Sequence, residues 1–179
     1  MKSISLESSL LPPMGSNNFG LLRVKDLAVS IASTKIIESI SFSLKRGEIL
    51  GVVGANGSGK TTLIRSIAGL LKPDSGTVSV DGVDASALGH SDRAQIISYM
   101  PQQVESHPFT AFEAVLMGRY PYLGRLELEG VADREIAFSA MRRTGTESFA
   151  DRRLDTLSGG ERQRVVMARV LAQQPQILL

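Results

Sequence analysis

Two short stretches of this chain carry the residue types and spacing that chemistry needs. The first is Gly54-Ala55-Asn56-Gly57-Ser58-Gly59-Lys60-Thr61, followed by Thr62. It fits the pattern G-x-x-x-x-G-K-[ST]. Glycines at these positions let the backbone wrap closely around an anion, in conformations that a side chain would forbid. The amide hydrogens of such a loop converge on phosphate oxygens, reinforced by the positive end of the helix that follows. Lys60 adds a point charge for the outer phosphates, and the Thr61 hydroxyl is suited to ligating Mg²⁺. The second stretch is Leu157-Ser158-Gly159-Gly160-Glu161-Arg162-Gln163-Arg164. Ser158 and Glu161 are spaced as a capping box, and the paired glycines either give no more than a tight helix entry or leave free amides at a helix start that can receive an anion.

The elements that must position these stretches follow from hydropathy patterning. Ile49-Leu50-Gly51-Val52-Val53 is an unbroken apolar run, which predicts a strand buried on both faces directly before the glycine-rich loop. A helix is expected from Lys60 to about Ala68, with Gly69 at its C-terminal cap. That strand–loop–helix order is the context in which the loop binds phosphate. Upstream, Leu22–Leu27 is strand-like, and Ile40–Leu44 alternates as a half-buried strand does. Thr77–Val80 and Ile96–Met100 are further expected strands. Thr110 and Glu113 form a capping box, so a helix should run from there to about Met117. Gly118–Gly130 is expected to be a loop. Val131–Arg143 is expected to be a helix with Ala132, Ile136 and Ala140 on one face. A last helix opens at Ser158 and ends before Pro175, and Ile177-Leu178-Leu179 begins a buried strand. Residues 1–20, rich in serine, proline and asparagine, are expected to form a disordered tail, which leaves 21–179 as one domain.

Three motifs together resemble the ATP-binding subunits of ATP-binding-cassette (ABC) transporters. LSGGERQR at 157–164 is similar to the family signature, with Glu161 where glutamine is usual. Ser98-Tyr99-Met100-Pro101-Gln102 is similar to the Q-loop. With the phosphate loop, these stand in the family's order over roughly residues 22–179. The resemblance implies an α/β fold. It consists of a P-loop ABC ATPase core with an antiparallel β subdomain and a helical signature subdomain, incomplete at the C-terminus. It implies ATP and Mg²⁺ as ligands. Gly54, Ala55, Asn56, Gly57, Ser58, Gly59, Lys60, Thr61 and Thr62 would hold the nucleotide. Ser158, Gly159, Gly160 and Glu161 would meet the γ-phosphate held by a second copy. Thr61 and Gln102 would contact the metal, and Lys60 and Gln102 would serve catalysis. Ile31 falls where the family usually stacks adenine on an aromatic ring; it packs on the base without a π-face. Ile177-Leu178-Leu179 resembles the start of the Walker B strand. The family's magnesium-binding Asp, catalytic Glu and switch His come later, so the 1–179 chain is expected to be inactive alone.

Met117-Gly118-Arg119-Tyr120-Pro121, with Leu123-Gly124-Arg125 after it, is similar to a stretch in importers of ferric siderophores, haem and vitamin B12. In those proteins this segment lies near the groove that receives a membrane subunit's coupling helix. Phe109, Phe112, Tyr120 and Tyr122 are candidate apolar contacts there or candidate core residues. The alternative to the groove is a solvated loop with exposed arginines. The implied partners are transmembrane permease subunits, a second copy of the chain and, indirectly, a substrate-binding protein. The implied location is cytoplasmic, peripheral on the inner face of the cell membrane. Two other readings stay open: a soluble ABC ATPase acting on DNA or ribosomes, and a catalytically inactive fragment.

Composition narrows the field further. Twenty basic against eighteen acidic residues give a net charge of +2, without the basic excess of a dedicated nucleic-acid binder. Cysteine is absent, which excludes disulfides and thiolate metal sites. His90 and His107 are too few for a histidine-rich metal centre and are expected at the surface. Arg142-Arg143 and Arg152-Arg153 are expected to be solvated, and the methionines to fill core gaps. No apolar run reaches the length of a membrane span, and no signal-peptide pattern is present.

Overall fold

The structure, a computed structural model, describes residues 5–9, 21–102 and 108–179. It divides into two compact units, Met1–Gly89 and His90–Leu179.

The first unit is built on an antiparallel sheet. Strand β2 (Leu22–Ile31) pairs with β3 (Thr34–Leu44) on one side and with β5 (Ser75–Val80) on the other, and β6 (Val83–Asp84) extends the edge. Alternation drives the arrangement: Leu22, Val24, Leu27 and Val29 are buried along β2. The strands exceed the expected lengths because β2 and β3 are one hairpin. Ala32 and Ser33 turn it with φ of 48° and 64°, the positive dihedrals of a two-residue turn whose twist suits a hairpin. Neither is the glycine, asparagine or aspartate that a hairpin turn with positive φ favours, so the local sequence carries no hairpin signal.

Strand β4 (Ile49–Val53) leads to the glycine-rich loop and to helix α1 (Lys60–Ile67). The strand and helix stand where expected, but β4 is not buried on both faces. Ile49 is 61% and Val53 42% exposed. Its partner among the described residues is β1 (Ser5–Ser9), antiparallel, with Ser5 opposite Val53 and Ser9 opposite Ile49. A two-stranded ribbon cannot cover a strand as a central sheet position does. The same pairing corrects the expectation of a disordered tail over residues 5–9. That stretch contains no proline or glycine to prevent pairing, and it meets the backbone donors and acceptors that β4 presents.

The second unit packs three helices: α3 (Ala111–Leu116), α4 (Val131–Thr144) and α5 (Gly159–Ala172). Phe112, Val115, Ala137, Met141, Val165 and Ala168 are central to its core, and the Phe112 and Phe138 rings stack with centroids 4.4 Å apart. On α4 the buried residues are Ala137, Ala140 and Met141. The expected face through Ala132 and Ile136 is therefore displaced: Ala132 is exposed and Ile136 only partly buried. Met117–Tyr122 forms a 3₁₀ helix where a loop was expected to begin. Here a Cβ at Gly118 would collide with the Arg169 carbonyl oxygen and approach the Ala172 Cβ at 3.2 Å. Only glycine allows this turn to lie against α5.

Beside the helices, α2 (His90–Ile96) runs into β7 (Ile97–Ser98), which pairs in parallel with β8 (Ile177–Leu178). The expected strand over 96–100 is thus shorter than its apolar run, because Ile96 ends the helix. The ladder continues past the strands: Met100 N donates to Leu179 O at 2.8 Å, and Leu179 N to Ser98 O at 2.9 Å. Ile177 is buried as expected and Leu178 is half-exposed.

Replacing Gly118 by alanine should destabilise the second unit by about 1–3 kcal/mol, the usual cost of forcing an extra methyl into a packed contact. Urea unfolding of the variant beside the wild type measures this; an unchanged midpoint would contradict the packing.

Candidate functional site

The loop at 54–59 leaves the C-terminal end of β4 and enters α1 through Gly59. Gly59 has φ 99° and ψ 5°, a left-handed conformation at the N-cap. A Cβ there would lie 3.1 Å from Ile36 Cγ2 and 3.2 Å from the Ile36 carbonyl oxygen. Both the dihedral and the approach of β3 therefore demand glycine. Gly57 also has a positive φ, 74°.

No side chain caps α1. The first amides of a helix have no intrahelical acceptors, so those of Lys60, Thr61 and Thr62 keep their donor character at this end. The Ser58 hydroxyl is buried and has no hydrogen-bond partner, an arrangement that costs about 1–3 kcal/mol until an acceptor meets it. Lys60 Nζ folds back over the loop and donates to the carbonyls of Gly54 and Ala55, at 2.8 and 2.9 Å. Ala55, Asn56 and Thr61 are exposed. The cluster is thus a concentration of donors on an accessible loop: backbone amides, an ammonium group and hydroxyls. That donor set fits a phosphorylated anion, and the exposed Thr61 hydroxyl fits a hard divalent cation.

The second cluster sits at the N-terminus of α5. Here the amides are partly engaged. Ser158 Oγ accepts from Glu161 N at 3.3 Å, while Glu161 Oε2 accepts from Ser158 N at 2.8 Å. This is the expected capping box. The Ser158 side-chain and backbone hydrogen bonds hold the Glu161 carboxyl below its ordinary pKa, aided by the nearby charges of Arg152 and Arg164. Gly159 and Gly160 are exposed, and a Cβ on either would meet nothing within 4 Å. Neither needs a positive φ. Among the described residues nothing requires glycine at these two places.

Gln102 is exposed, four residues beyond the end of β7. It follows the carboxyl end of a strand in a parallel pair, the end at which ligands collect in α/β sheets. The structure thus gathers residues 54–62 in the first unit and 158–161 in the second, with Gln102 on its own loop in the second. Ile31, 47% exposed, ends β2 at the hairpin turn.

Other side chains fall as follows. Phe112 is core, while Phe109, Tyr120 and Tyr122 remain 42%, 53% and 36% exposed. His90, Arg142, Arg143, Arg152 and Arg153 are exposed as expected; His107 lies outside the described residues. Met141 is fully buried, whereas Met100, Met117 and Met167 are partly so. Arg119 departs from the reading of a solvated loop: it is buried and paired with Asp133 at 3.0 Å. The M-G-R-x-P stretch marked the place, but burial of an arginine is a tertiary property that no local pattern announces.

Comparison with known proteins places this geometry. A family model described as "ABC transporter" matches residues 37–179. The chain belongs to the ABC transporter family. It is 43% identical over 159 residues to the cobalamin import ATP-binding protein BtuD of Halobacterium salinarum, covering 88% of this chain and 39% of that protein. It is 41% identical over 154 residues to the hemin import ATP-binding protein HmuV of Gloeobacter violaceus, covering 86% and 55%. The solved structure of cbiO1 from Clostridium perfringens, part of the ABC transporter complex cbiONQ, is 27% identical. It superposes with a TM-score of 0.70 over 90% of this chain and 64% of that one. The chain therefore spans less than two thirds of the length of each of these relatives. Its α/β fold, with an antiparallel β subdomain and a helical signature subdomain, is that of the family's P-loop ATPase domain. No helix among the described residues is long and apolar enough to cross a membrane.

Because the Glu161 carboxyl is held below its ordinary value, the capping box stabilises α5 fully above the unfolded-state pKa of about 4.3. That contribution is lost as pH falls through the lowered folded value. An NMR titration of the Ser158 amide should show its midpoint below that of a model glutamate. A midpoint at or above the model value would contradict the box.

Proposed function

We propose that this chain carries the ATP-binding machinery of an importer's energising subunit. In this reading ATP binding closes a head-to-tail pair of copies, hydrolysis reopens it, and separate permease subunits are driven through a transport cycle. The observation that carries the reading is the uncapped loop–helix junction at Gly54–Thr62, with its unpartnered Ser58 hydroxyl, left-handed Gly59 and Lys60 ammonium. Such a donor cluster has one economical use, which is to grip a chain of phosphates. Gly54–Thr62 hold the nucleotide, and Ile31 packs on the adenine. Thr61 would hold Mg²⁺, which when bound neutralises phosphate charge.

The glycines at 159 and 160 support the second half of the proposal. Glycine within a helix costs about 0.5–1 kcal/mol relative to alanine. Where no contact among the described residues requires it, a close approach from outside accounts for it. The γ-phosphate on a second copy is that approach. Ser158 caps its own helix until the phosphate arrives and then donates to it.

The relatives' names favour import of an iron-siderophore, haem or cobalamin, with a substrate-binding protein delivering the solute and this subunit on the inner face of the membrane. The ladder from Ser98 to Leu179 aligns the ends of β7 and β8, the carboxyl ends at which ligands collect in α/β sheets.

Two substitutions in the full-length protein test the reading. Lys60→Ala should weaken Mg-ATP binding at least tenfold by calorimetry, about 1.4 kcal/mol or more. Gly160→Ala should leave the fold as stable or about 0.5–1 kcal/mol more so, yet reduce ATP-driven dimerisation in sedimentation. Unchanged ATP affinity in the first variant, or full dimerisation in the second, would refute the proposal.

A further inference from the structure

The least expected feature of the second unit is the environment of Arg119. Its side chain is only 7% exposed, against 17% for Asp133, to which Nε donates at 3.0 Å. One terminal nitrogen, Nη1, donates to the Ala172 carbonyl at 2.9 Å and to Gln174 Oε1 at 3.1 Å. The guanidinium lies 3.9 Å from the centre of the Tyr122 ring, and Tyr122 Oη donates to the Gln173 carbonyl at 2.8 Å. The 117–122 turn thus supplies the donors for two carbonyls at the end of α5, where a helix leaves its last acceptors unmatched.

The connection continues to β7. Gln173 Oε1 accepts from Ser98 Oγ at 2.9 Å, and its Nε2 donates to the carbonyls of Ala94 and Ile97. Ser98 is 2% exposed. A continuous set of hydrogen bonds therefore joins α4 through Asp133, the 117–122 turn, the C-terminal end of α5 and strand β7. Gln102 lies just beyond β7. Ser158 and the two glycines lie at the other end of α5.

Burying a guanidinium is a poor way to gain stability, since apolar groups of similar volume often serve as well or better. What a planar, five-donor group provides is fixed direction among several acceptors at once. We infer that Arg119 is a positioning residue for ATP hydrolysis. It fixes the end of α5, from which the Gln173 side chain reaches the strand that leads to Gln102, so that the signature end and the Gln102 loop move as one body. This rests on the function proposed above. It adds that the lock acts after nucleotide is bound, through the orientation of groups that Arg119 does not itself touch.

The test uses the full-length protein, with phosphate release measured at varied ATP and with hydrogen exchange followed over residues 96–102 and 158–164. In the wild type, Mg-ATP should change exchange in both segments; failure of the wild type to bind ATP would overturn the underlying function rather than the lock. Arg119→Met should keep KM for ATP within about twofold and lower kcat at least tenfold, the pattern of lost transition-state rather than ground-state interaction. Exchange in the two segments should no longer respond together. Arg119→Lys should restore little, because one ammonium cannot reproduce the fork. Tyr122→Phe removes a single hydroxyl and tests the lock should the methionine variant fail to fold; it should lower kcat about threefold with KM unchanged. Wild-type kcat in Tyr122→Phe together with a coupled exchange response overturns the inference. So does a parallel fall of kcat, ATP affinity and thermal midpoint, which marks a merely structural residue.

Discussion

Helices begin with amides that have no acceptor, and this molecule treats two such beginnings differently. At α1 the junction is left uncapped, and a glycine in a left-handed conformation turns the chain into the helix. At α5 the junction is closed by Ser158 and Glu161. Residues 54–57, which lead into the first, and residues 158–160 of the second are exposed. A chain that retained only stability would cap both, since a good cap contributes about 1 kcal/mol. On the function proposed, leaving one open and placing two glycines behind the other prepares both for an anion.

The scaffolds behind these junctions are unlike each other, and each suits its task. The phosphate loop rests on β3, whose Ile36 side chain and carbonyl abut Gly59. A sheet strand is a stiff support for a loop that must keep its amides aimed. The signature end is carried by a helix fixed along its length: by the core through Val165 and Ala168, by the close pass of Gly118, and at its far end by Arg119 and Tyr122. A helix held at several points behaves as a lever. Displacement at one end is felt at the other rather than absorbed by bending.

Much of this was legible from the sequence. Local chemistry names its own positions: the phosphate loop, both capping boxes and the stop before Pro175 depend on residues a few places apart. The errors share one cause. The apolar run of β4 suggested full burial, but burial depends on which strands and helices cover it. The β2–β3 hairpin turns on Ala32 and Ser33, residue types that carry no hairpin signal. On α4 the buried face was misplaced by a residue, because alanines at four-residue spacing fit either side of the stripe that Ala137 and Met141 define. Arg119 was the largest omission. Its partners stand 14 to 55 positions away, so no window of local pattern contains them.

The central claim is that residues 54–62 of one copy and 158–160 of another share a triphosphate. Residues 1–179 contain no cysteine, so thiols introduced among them are the only ones in that span. Full-length protein carrying Ala55→Cys would be mixed with full-length protein carrying Thr156→Cys, and treated with a short bifunctional thiol reagent. The account predicts a cross-linked pair that forms with Mg-ATP when hydrolysis is blocked and is scarce without nucleotide. Cross-linking that is absent with ATP, or equal with and without it, would contradict the account.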